Sequence, residues 1–166
     1  EENIDIDTNF KLLVSALNKV AEKYKMPIIF STHPRTKKQI EQKNIKFHQL
    51  IKNVAPLGFF DYVKLQQNAY VVLSDSGTIS EESAIMKFPA VSIRTSTERP
   101  EAVDAGTILL GGIKEDEIIN AIEITKGLFD SNIKIPFEYE VSNTSDRVIK
   151  IIMSYTKIIN QVIWNK

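Results

Sequence analysis

Three short polar stretches of the sequence carry the residue types that bind phosphate or sugar groups. They are Thr32-His33-Pro34-Arg35, Ser74-Asp75-Ser76-Gly77-Thr78, and the charged segment from Arg94 to Glu101. Each follows a run of apolar residues with the composition of a strand. Ligands of an open α/β sheet bind outside the carboxyl ends of its strands. We therefore expect these three stretches to meet at one cleft.

The second stretch leads into a predicted helix that begins near Ile79. Backbone N–H groups and hydroxyls at a helix N-terminus suit a phosphate, because the positive end of the helix dipole lies behind them. Glu82 could accept hydrogen bonds from paired sugar hydroxyls or remain a solvated surface residue. The structural alternative is a plain helix cap, in which Glu81 completes a capping box with Thr78.

The first and third stretches offer a histidine and two arginines. His33 ends a strand, where an imidazole could contact a phosphate, transfer a proton, or serve only the local structure. Arg94 and Arg99 are the best anion ligands of the third stretch. The alternative there is an ion-pair network of Arg99 with Glu98 and Glu101.

Three common motifs are missing from these loops. A nucleophile elbow would require Gly at the position of Ser74. Neither the dinucleotide fingerprint G-x-G-x-x-G nor the P-loop pattern G-x-x-x-x-G-K occurs. These absences argue against a serine hydrolase, a dinucleotide-binding enzyme and a P-loop nucleotidase.

Composition limits the partners of the protein. The chain has 166 residues, of which 43% are hydrophobic and 25% charged, as in one globular domain. Lys plus Arg and Asp plus Glu number 21 each, so no net field attracts nucleic acid or a membrane surface. The absence of cysteine excludes thiolate chemistry and cysteine zinc sites, and it is compatible with a cytoplasmic location. The start at Glu1, without Met, suggests a piece of a longer protein.

Hydrophobic periodicity predicts strands alternating with helices. The predicted helices are one capped by Asp7 or Thr8 and ending near Tyr24 to Met26, Arg35–Gln42, one following Pro56, Ile79–Met86, one starting near Lys114, and Asn143–Ile163. The predicted strands are Ile28–Ser31, one or two within 44–56, Tyr70–Asp75, Ala90–Arg94 and Gly106–Gly111, with a polar loop from Arg94 to Ala105. This order is typical of an α/β fold with a three-layer, doubly wound, mostly parallel sheet.

Four segments, "STHPRT", "PLGFFDY", "LSDSGTISEES" and "TERPEAVDAGT", occur in an order and spacing that closely resemble the C-terminal half of the non-hydrolysing UDP-N-acetylglucosamine 2-epimerases. The resemblance covers nearly the whole chain, and the opening "EEN" is similar to the end of a family segment. Some segments resemble the branch that makes UDP-N-acetyl-L-fucosamine, whereas "TERPEAV" is closer to the main branch. The family pattern has a second glycine where Thr78 stands here.

The resemblance implies a Rossmann-like domain of the glycosyltransferase-B fold in residues 1–141. Residues 142–166 would form a helix that packs toward an N-terminal domain absent from this chain. The implied catalytic residue is His33. The implied UDP-binding residues are Arg35, Leu57, Phe59, Tyr62, Ser76, Gly77, Thr78, Glu82, Arg94 and Arg99.

The resemblance also implies a reaction, the inversion of C2 in a UDP-linked 2-acetamido sugar by elimination and re-addition of UDP. The substrate would be UDP-N-acetylglucosamine or a 6-deoxy analogue, and no metal or other cofactor is implied. The family's catalytic carboxylates belong to the absent N-terminal domain, so this chain alone should be inactive. The full-length protein should be a homodimer.

Other functions remain open from the sequence. A glycosyltransferase would use the same fold and a similar nucleotide site. A hydrolysing epimerase would release UDP and free sugar. A third alternative is a nucleotide-binding module without catalytic activity.

Overall fold

The structure is a computed structural model that describes residues 6–130 and 132–165. The opening "EEN" segment lies outside the described residues. The described helices are α1 (Asp7–Tyr24), α2 (Pro34–Gln42), α3 (Phe59–Asn68), α4 (Ile79–Met86), α5 (Pro100–Asp104), α6 (Glu115–Leu128) and α7 (Thr144–Val162), with a 3-10 turn at Phe137–Tyr139. The described strands are β1 (Ile28–Ser31), β2 (Ile51–Val54), β3 (Val72–Ser74), β4 (Ala90–Ser92) and β5 (Leu109–Leu110).

All described strand pairs are parallel. Strands β1 and β2 form one hydrogen-bonded pair, and β3, β4 and β5 form a second ladder with β4 in the centre. A helix separates each strand from the next along the chain, as parallel connections require. The predicted parallel α/β architecture is therefore confirmed. Strand β1 has the predicted bounds, β3, β4 and β5 are shorter than predicted, and the strands fall into two hydrogen-bonded sets.

One apolar core connects the two sets of strands. Leu17 and Ala21 of α1 and Ile118 of α6 are buried there, and Phe30 of β1 and Leu73 of β3 pack against the same cluster. Burial of this apolar surface is the main favourable term in the stability of the domain. The core therefore fixes the carboxyl ends of β1 and β3, and the loops that follow them, relative to each other.

Several local predictions need correction. Neither Asp7 nor Thr8 caps α1, because Ile6 occupies the cap position and the Asp7 carboxylate pairs with Lys43. One strand, Ile51–Val54, lies within 44–56, where one or two were predicted, and its bounds differ from those of the candidate strands. The segment expected to be a loop up to Ala105 contains α5, which begins at Pro100, a residue suited to the first turn of a helix.

The chain divides into two compact units, the first ending at Ile135 and the second beginning at Pro136. The second unit contains the 3-10 turn and α7. Its helix carries large apolar side chains that are exposed, among them Ile151 at 58%, Ile152 at 56% and Val162 at 72%. Within the described residues, no helix combines the length and the apolar character needed to cross a membrane.

Candidate functional site

The polar turn between β3 and α4, residues 75–78, is a candidate anion site, and we call it the anion turn. The Ser76 backbone N–H donates to Ser74 Oγ at 3.1 Å. The N–H groups of Gly77 and Thr78 have no partner within the described part of the chain. Thr78 is the N-cap residue of α4, and its side chain makes no capping bond to the backbone. Two donors at the positive end of a helix dipole are thus available to a bound anion.

The backbone at Thr78 lies in the right-handed helical region, with φ −67° and ψ −13°. A β-branched residue adopts these angles without strain. The threonine is therefore compatible with the turn in which the family pattern has glycine.

A network of side-chain hydrogen bonds surrounds Glu82. Thr78 Oγ1 donates to Glu82 Oε1 at 2.8 Å, and Gln66 Nε2 donates to Glu82 Oε2 at 2.6 Å. The hydroxyls of Ser76 and Thr78 lie 2.9 Å apart. We call these four residues, Gln66, Ser76, Thr78 and Glu82, the Glu82 cluster. Thr78 makes no side-chain bond to the backbone of α4, and the Glu81 carboxylate accepts from Arg99 instead of the Thr78 backbone N–H, so the capping box considered from the sequence is wrong.

Helix α3 brings an aromatic ring to the same place. Tyr62 and Gln66 are four residues apart and therefore lie on one face of α3. Partial burial raises the pKa of the Tyr62 phenol, and the negative charges of Glu82 and Asp75 raise the pKa further. Tyr62 thus lies within electrostatic range of the Glu82 cluster and keeps its proton at neutral pH.

Arg94 lies beside the anion turn. A methyl group added at Gly77 would contact Arg94 Nη1 at 3.8 Å and Glu98 Oε2 at 3.6 Å. The guanidinium donates to both oxygens of Glu98, at 3.0 and 3.4 Å. This hydrogen-bonded pairing with Arg94 lowers the pKa of the Glu98 carboxyl. A bound anion would therefore compete with Glu98 for Arg94.

Arg99 is attached to α4 by a separate ion pair. Its Nε donates to Glu81 Oε1 at 2.6 Å, and its Nη1 donates to the backbone oxygen of Glu98 at 3.3 Å. Arg99, a predicted anion ligand, is therefore paired with the carboxylate of Glu81. The pair fixes the loop after β4 to the first turn of α4.

The first polar stretch lies at the end of β1. His33 is the N-cap residue of α2, and its Nδ1 accepts from the backbone N–H of Arg35 at 3.3 Å. An accepting Nδ1 leaves the proton of the neutral ring on Nε2, where it is available to an acceptor. No hydrogen bond among the described residues connects His33 to the Glu82 cluster. The structural role considered from the sequence is present, and a role in catalysis remains a prediction.

Leu57 and Phe59 flank the start of α3. Gly58 is the N-cap residue between them, and its carbonyl accepts from the backbone N–H of Tyr62 at 3.0 Å. Phe59 is exposed and packs edge-to-face on Phe60, with ring centroids 5.5 Å apart. The loop before α3 therefore adjoins Tyr62, as its predicted role in binding a base would require.

Gln66 is the functional candidate that the sequence did not reveal. It is only 3% exposed, although it is polar and the other residues of α3 are half-buried or exposed. Its spacing of four residues from Tyr62 was the available signal. Among the described residues, no group of three or more His, Cys, Asp or Glu side chains is arranged to hold a metal ion.

The parallel strands, the intervening helices and the polar cluster at the strand ends define a Rossmann-like α/β domain of the glycosyltransferase-B type. The sequence matches the profile of the UDP-N-acetylglucosamine 2-epimerase family over residues 1–153. It is 36% identical over 155 residues to UDP-N-acetylglucosamine 2-epimerase of Methanocaldococcus jannaschii, covering 91% of this chain and 42% of that protein. The chain therefore belongs to the UDP-N-acetylglucosamine 2-epimerase family.

Solved structures agree with this membership. The UDP-N-acetylglucosamine 2-epimerase of Rickettsia bellii superposes with a TM-score of 0.80 at 38% identity, covering 97% of this chain and 45% of that one. The M. jannaschii enzyme in complex with UDP-GlcNAc and UDP also gives 0.80, at 34% identity, covering 92% of this chain and 42% of that one. The chain thus spans less than half the length of these relatives.

Proposed function

We propose that this chain is the UDP-binding, C-terminal half of a UDP-N-acetylhexosamine 2-epimerase. The observation that carries the proposal is the similarity to the M. jannaschii enzyme, whose structure is a complex with UDP-GlcNAc and UDP, over 92% of this chain. The local geometry supports it, because an anion turn, a carboxylate and an aromatic ring meet at the ends of parallel strands.

The diphosphate would bind at the start of α4. The N–H groups of Gly77 and Thr78, which have no partner among residues 6–130 and 132–165, provide two donors, and the Ser76 hydroxyl adds a third. Glu82 would accept the ribose hydroxyls, because a carboxylate only accepts and a vicinal diol offers two donors. The phosphate and ribose positions are thereby one helical turn apart.

The base would stack on Tyr62. Aromatic rings supply sequence-tolerant stacking platforms for bases, and a neutral phenol places no charge beside the uracil. The backbone near Leu57 and Phe59 would contact the edge of the base. Selection of uracil would then come from the loop that leads into α3.

Four cationic or titratable side chains would complete the site. Arg94 and Arg99 would bind the diphosphate after exchanging a carboxylate partner for a phosphate oxygen. Arg35 would add charge from the first turn of α2. His33 would contact the diphosphate or the sugar through its Nε2 proton, and we assign it the catalytic role of this half.

The proposed reaction places two demands on this domain. UDP departs when the C1–O bond of the sugar breaks and C2 loses its proton, which gives a 2-acetamidoglycal and UDP. UDP then adds back to C1 while C2 receives a proton on the opposite face. The domain must stabilise the charge that develops on the leaving diphosphate, and it must retain UDP until re-addition.

The proton transfers at C2 would require further groups. We propose that they come from an N-terminal domain of the same polypeptide, and that residues 142–166 pack toward that domain. The exposed apolar side chains of α7, such as Ile151 and Ile152, support this arrangement because exposed apolar patches mark interaction surfaces. The full-length enzyme would be a homodimer located in the cytoplasm.

Calorimetry and an activity assay test the proposal together. This chain should bind UDP, and it should not interconvert UDP-N-acetylglucosamine and its C2 epimer. The full-length protein should interconvert the two nucleotide sugars without an acceptor. Absence of UDP binding by this chain would contradict the proposal, and turnover by this chain would contradict the division of the active site between two domains.

The sugar itself needs a separate comparison. A relative from Pseudomonas aeruginosa, UDP-2,3-diacetamido-2,3-dideoxy-D-glucuronate 2-epimerase, is 30% identical over 126 residues, covering 76% of this chain and 35% of that protein. We propose UDP-N-acetylglucosamine or its 6-deoxy analogue as the substrate. Assaying the full-length protein with both would decide between them, and transfer of sugar to an acceptor would instead identify a glycosyltransferase.

A further inference from the structure

The carboxylate of Glu82 is held at both oxygens by side chains from two helices. Thr78 Oγ1 lies 2.8 Å from Oε1, and Gln66 Nε2 lies 2.6 Å from Oε2. An ionised carboxylate has about two acceptor positions on each oxygen. Each oxygen of Glu82 therefore keeps one position for another donor. These two free acceptor positions equal in number the two hydroxyls of a ribose.

The direction of the hydrogen bonds in this cluster follows from the number of protons. Thr78 has one hydroxyl proton, and the carboxylate of Glu82 can only accept, so Thr78 donates to Glu82. Thr78 Oγ1 must then accept the proton of Ser76 Oγ, which is 2.9 Å away. The Ser76 hydroxyl can turn to a phosphate oxygen without breaking the bond between Thr78 and Glu82.

Gln66 is suited to hold Glu82 rather than to bind a ligand. Its side chain is 3% exposed, and the hydrogen bond to Glu82 is its only side-chain hydrogen bond within the described residues. The carboxylate determines the orientation of the amide, because only the NH₂ group can face it. Burial restricts the rotamers of Gln66, and the hydrogen bond holds the contact at Glu82 Oε2.

We propose that Thr78 and Gln66 are positioning residues that orient the Glu82 carboxylate toward the ribose diol and so set the preference for ribonucleotides. The proposal rests on the assignment of Glu82 to the ribose in the proposed function. Thr78 and Gln66 do not touch the nucleotide through their side chains. They act by fixing the plane of the carboxylate, since a freely rotating Glu82 could not meet both hydroxyls at once.

The test compares UDP with 2′-deoxy-UDP in NMR titrations of this chain. The unmodified chain should bind UDP about tenfold more tightly, because the deoxy compound lacks one hydrogen bond to a charged acceptor. Thr78→Val and Gln66→Leu should each reduce this ratio to about twofold or less. Affinity for 2′-deoxy-UDP should change little, whereas a general structural defect would weaken both ligands equally. Thr78→Ser should retain the preference.

Two matched controls lie outside the cluster. Thr125→Val removes a hydroxyl that has no partner within the described residues, and Gln67→Leu alters the exposed neighbour of Gln66. Both should keep the preference of the unmodified chain. If Thr78→Val were poorly folded, Thr78→Ala would repeat the measurement at this exposed position.

The side-chain amide of Gln66 provides a direct signal. Its NH₂ resonances should shift on addition of UDP, and they should shift less with 2′,3′-dideoxy-UDP at equal saturation, because that ligand has no hydroxyl for Glu82. Failure of the unmodified chain to bind UDP would overturn the proposed function. Binding of UDP with an unchanged ratio in Thr78→Val and Gln66→Leu would overturn only the positioning role.

Discussion

Arg99 Nε lies 2.6 Å from Oε1 of Glu81, and this ion pair connects the loop after β4 to the first turn of α4. The two side chains are 34% and 30% exposed, so the pair is shielded from water only in part. Glu81 Oε2 is buried and has no hydrogen-bond partner in the described part of the chain. Glu81 therefore depends on Arg99 for most of its charge compensation, while Arg99 is also a candidate ligand for a diphosphate.

Replacing Arg99 should affect stability and binding by separable routes. Arg99→Ala should lower the free energy of unfolding by about 1–2 kcal/mol, because a partly buried Glu81 loses its partner. It should also weaken UDP binding about tenfold, because one charge-assisted bond to the diphosphate is lost. Chemical denaturation and calorimetry would measure the two effects.

The double variant Arg99→Ala/Glu81→Gln is the control for this separation. It should recover most of the lost stability, since no unpaired charge remains, without recovering the affinity for UDP. Full recovery of affinity would show that Arg99 acts only through the structure of the loop.

The positions of the main elements could be predicted from the sequence, whereas the pairing of charged residues could not. Ile79–Met86 is a helix with the predicted bounds, since apolar spacing and turn residues determine such elements locally. The sequence left open an ion-pair network of Arg99 with Glu98 and Glu101, and it gave no indication of the partner Glu81, which is 18 positions away. Partners at such separations depend on tertiary packing, which leaves no local pattern.

The burial of Gln66 illustrates the same limit. Glutamine on a two- or three-turn helix is usually exposed, and its sequence neighbours Leu65 and Gln67 are exposed here. The amide is buried because Glu82, on the next helix, accepts its hydrogen bond. The length of β3 was also overestimated, because the apolar run that begins at Tyr70 continues beyond the residues that pair with a neighbouring strand.

Gly77 and Gly111 should respond to substitution in opposite ways. A methyl group at Gly77 would meet only ordinary contacts, the nearest at 3.6 Å, so Gly77→Ala should change the free energy of unfolding by less than about 0.5 kcal/mol. The methyl would nevertheless lie where a phosphate approaches the backbone, and UDP affinity should fall about tenfold.

Gly111→Ala is the contrasting variant. Its methyl would lie 2.4 Å from Val91 Cγ1 and 3.1 Å from Ala121 Cβ, inside a packed region. It should destabilise the domain by about 1–3 kcal/mol, as overpacking does. Thermal unfolding and calorimetry on both variants would check the contrast, and a stable Gly77→Ala with unchanged UDP affinity would contradict the proposed phosphate position.

The Arg94–Glu98 pair gives a pH-dependent prediction. Arg94 holds the pKa of Glu98 below its ordinary value of 4.5, so the contribution of the pair is present above that value and is lost as the pH falls through the lowered pKa. Carbon NMR of the Glu98 carboxyl should show a midpoint below 4.5. Arg94→Ala should return the midpoint toward 4.5, whereas Lys19→Ala, which removes the partner of Glu22, should leave it unchanged.

If Arg94 binds the diphosphate as proposed, Glu98 competes with the ligand for the guanidinium. Glu98→Gln should therefore strengthen UDP binding by about threefold, because Arg94 would no longer have to leave an ion pair to bind the diphosphate. This estimate is the value of an ion pair that is partly exposed to solvent. Calorimetry at low salt would measure this gain. Weaker binding in Glu98→Gln would mean that Glu98 positions Arg94 for the ligand instead of competing with it.

Tyr62 should contribute to binding through its ring rather than its hydroxyl. Tyr62→Ala should weaken UDP binding by about 1–3 kcal/mol, the value of base stacking on an aromatic side chain, and Tyr62→Phe should bind nearly as well as the unmodified chain. Tyr70→Ala is a suitable control, because Tyr70 packs against Tyr24 outside the Glu82 cluster. Calorimetry with UDP and with inorganic diphosphate separates the contribution of the base from that of the phosphates. Inorganic diphosphate should bind equally to the unmodified chain, Tyr62→Ala and Tyr62→Phe.

The apolar face of α7 leads to a prediction about the full-length protein. Ile152 is 56% exposed in this chain, so Ile152→Glu should leave the unfolding free energy of the chain nearly unchanged. If α7 packs on an N-terminal domain, the same change in the full-length protein would bury a carboxylate in an apolar contact. It should then lower stability by at least about 2 kcal/mol and reduce epimerase activity.

Lys150→Glu, an exposed neighbour on the same helix, should have little effect in either protein. Denaturation curves of both lengths would decide, and equal effects of Ile152→Glu on the two would show that α7 remains exposed in the full-length enzyme.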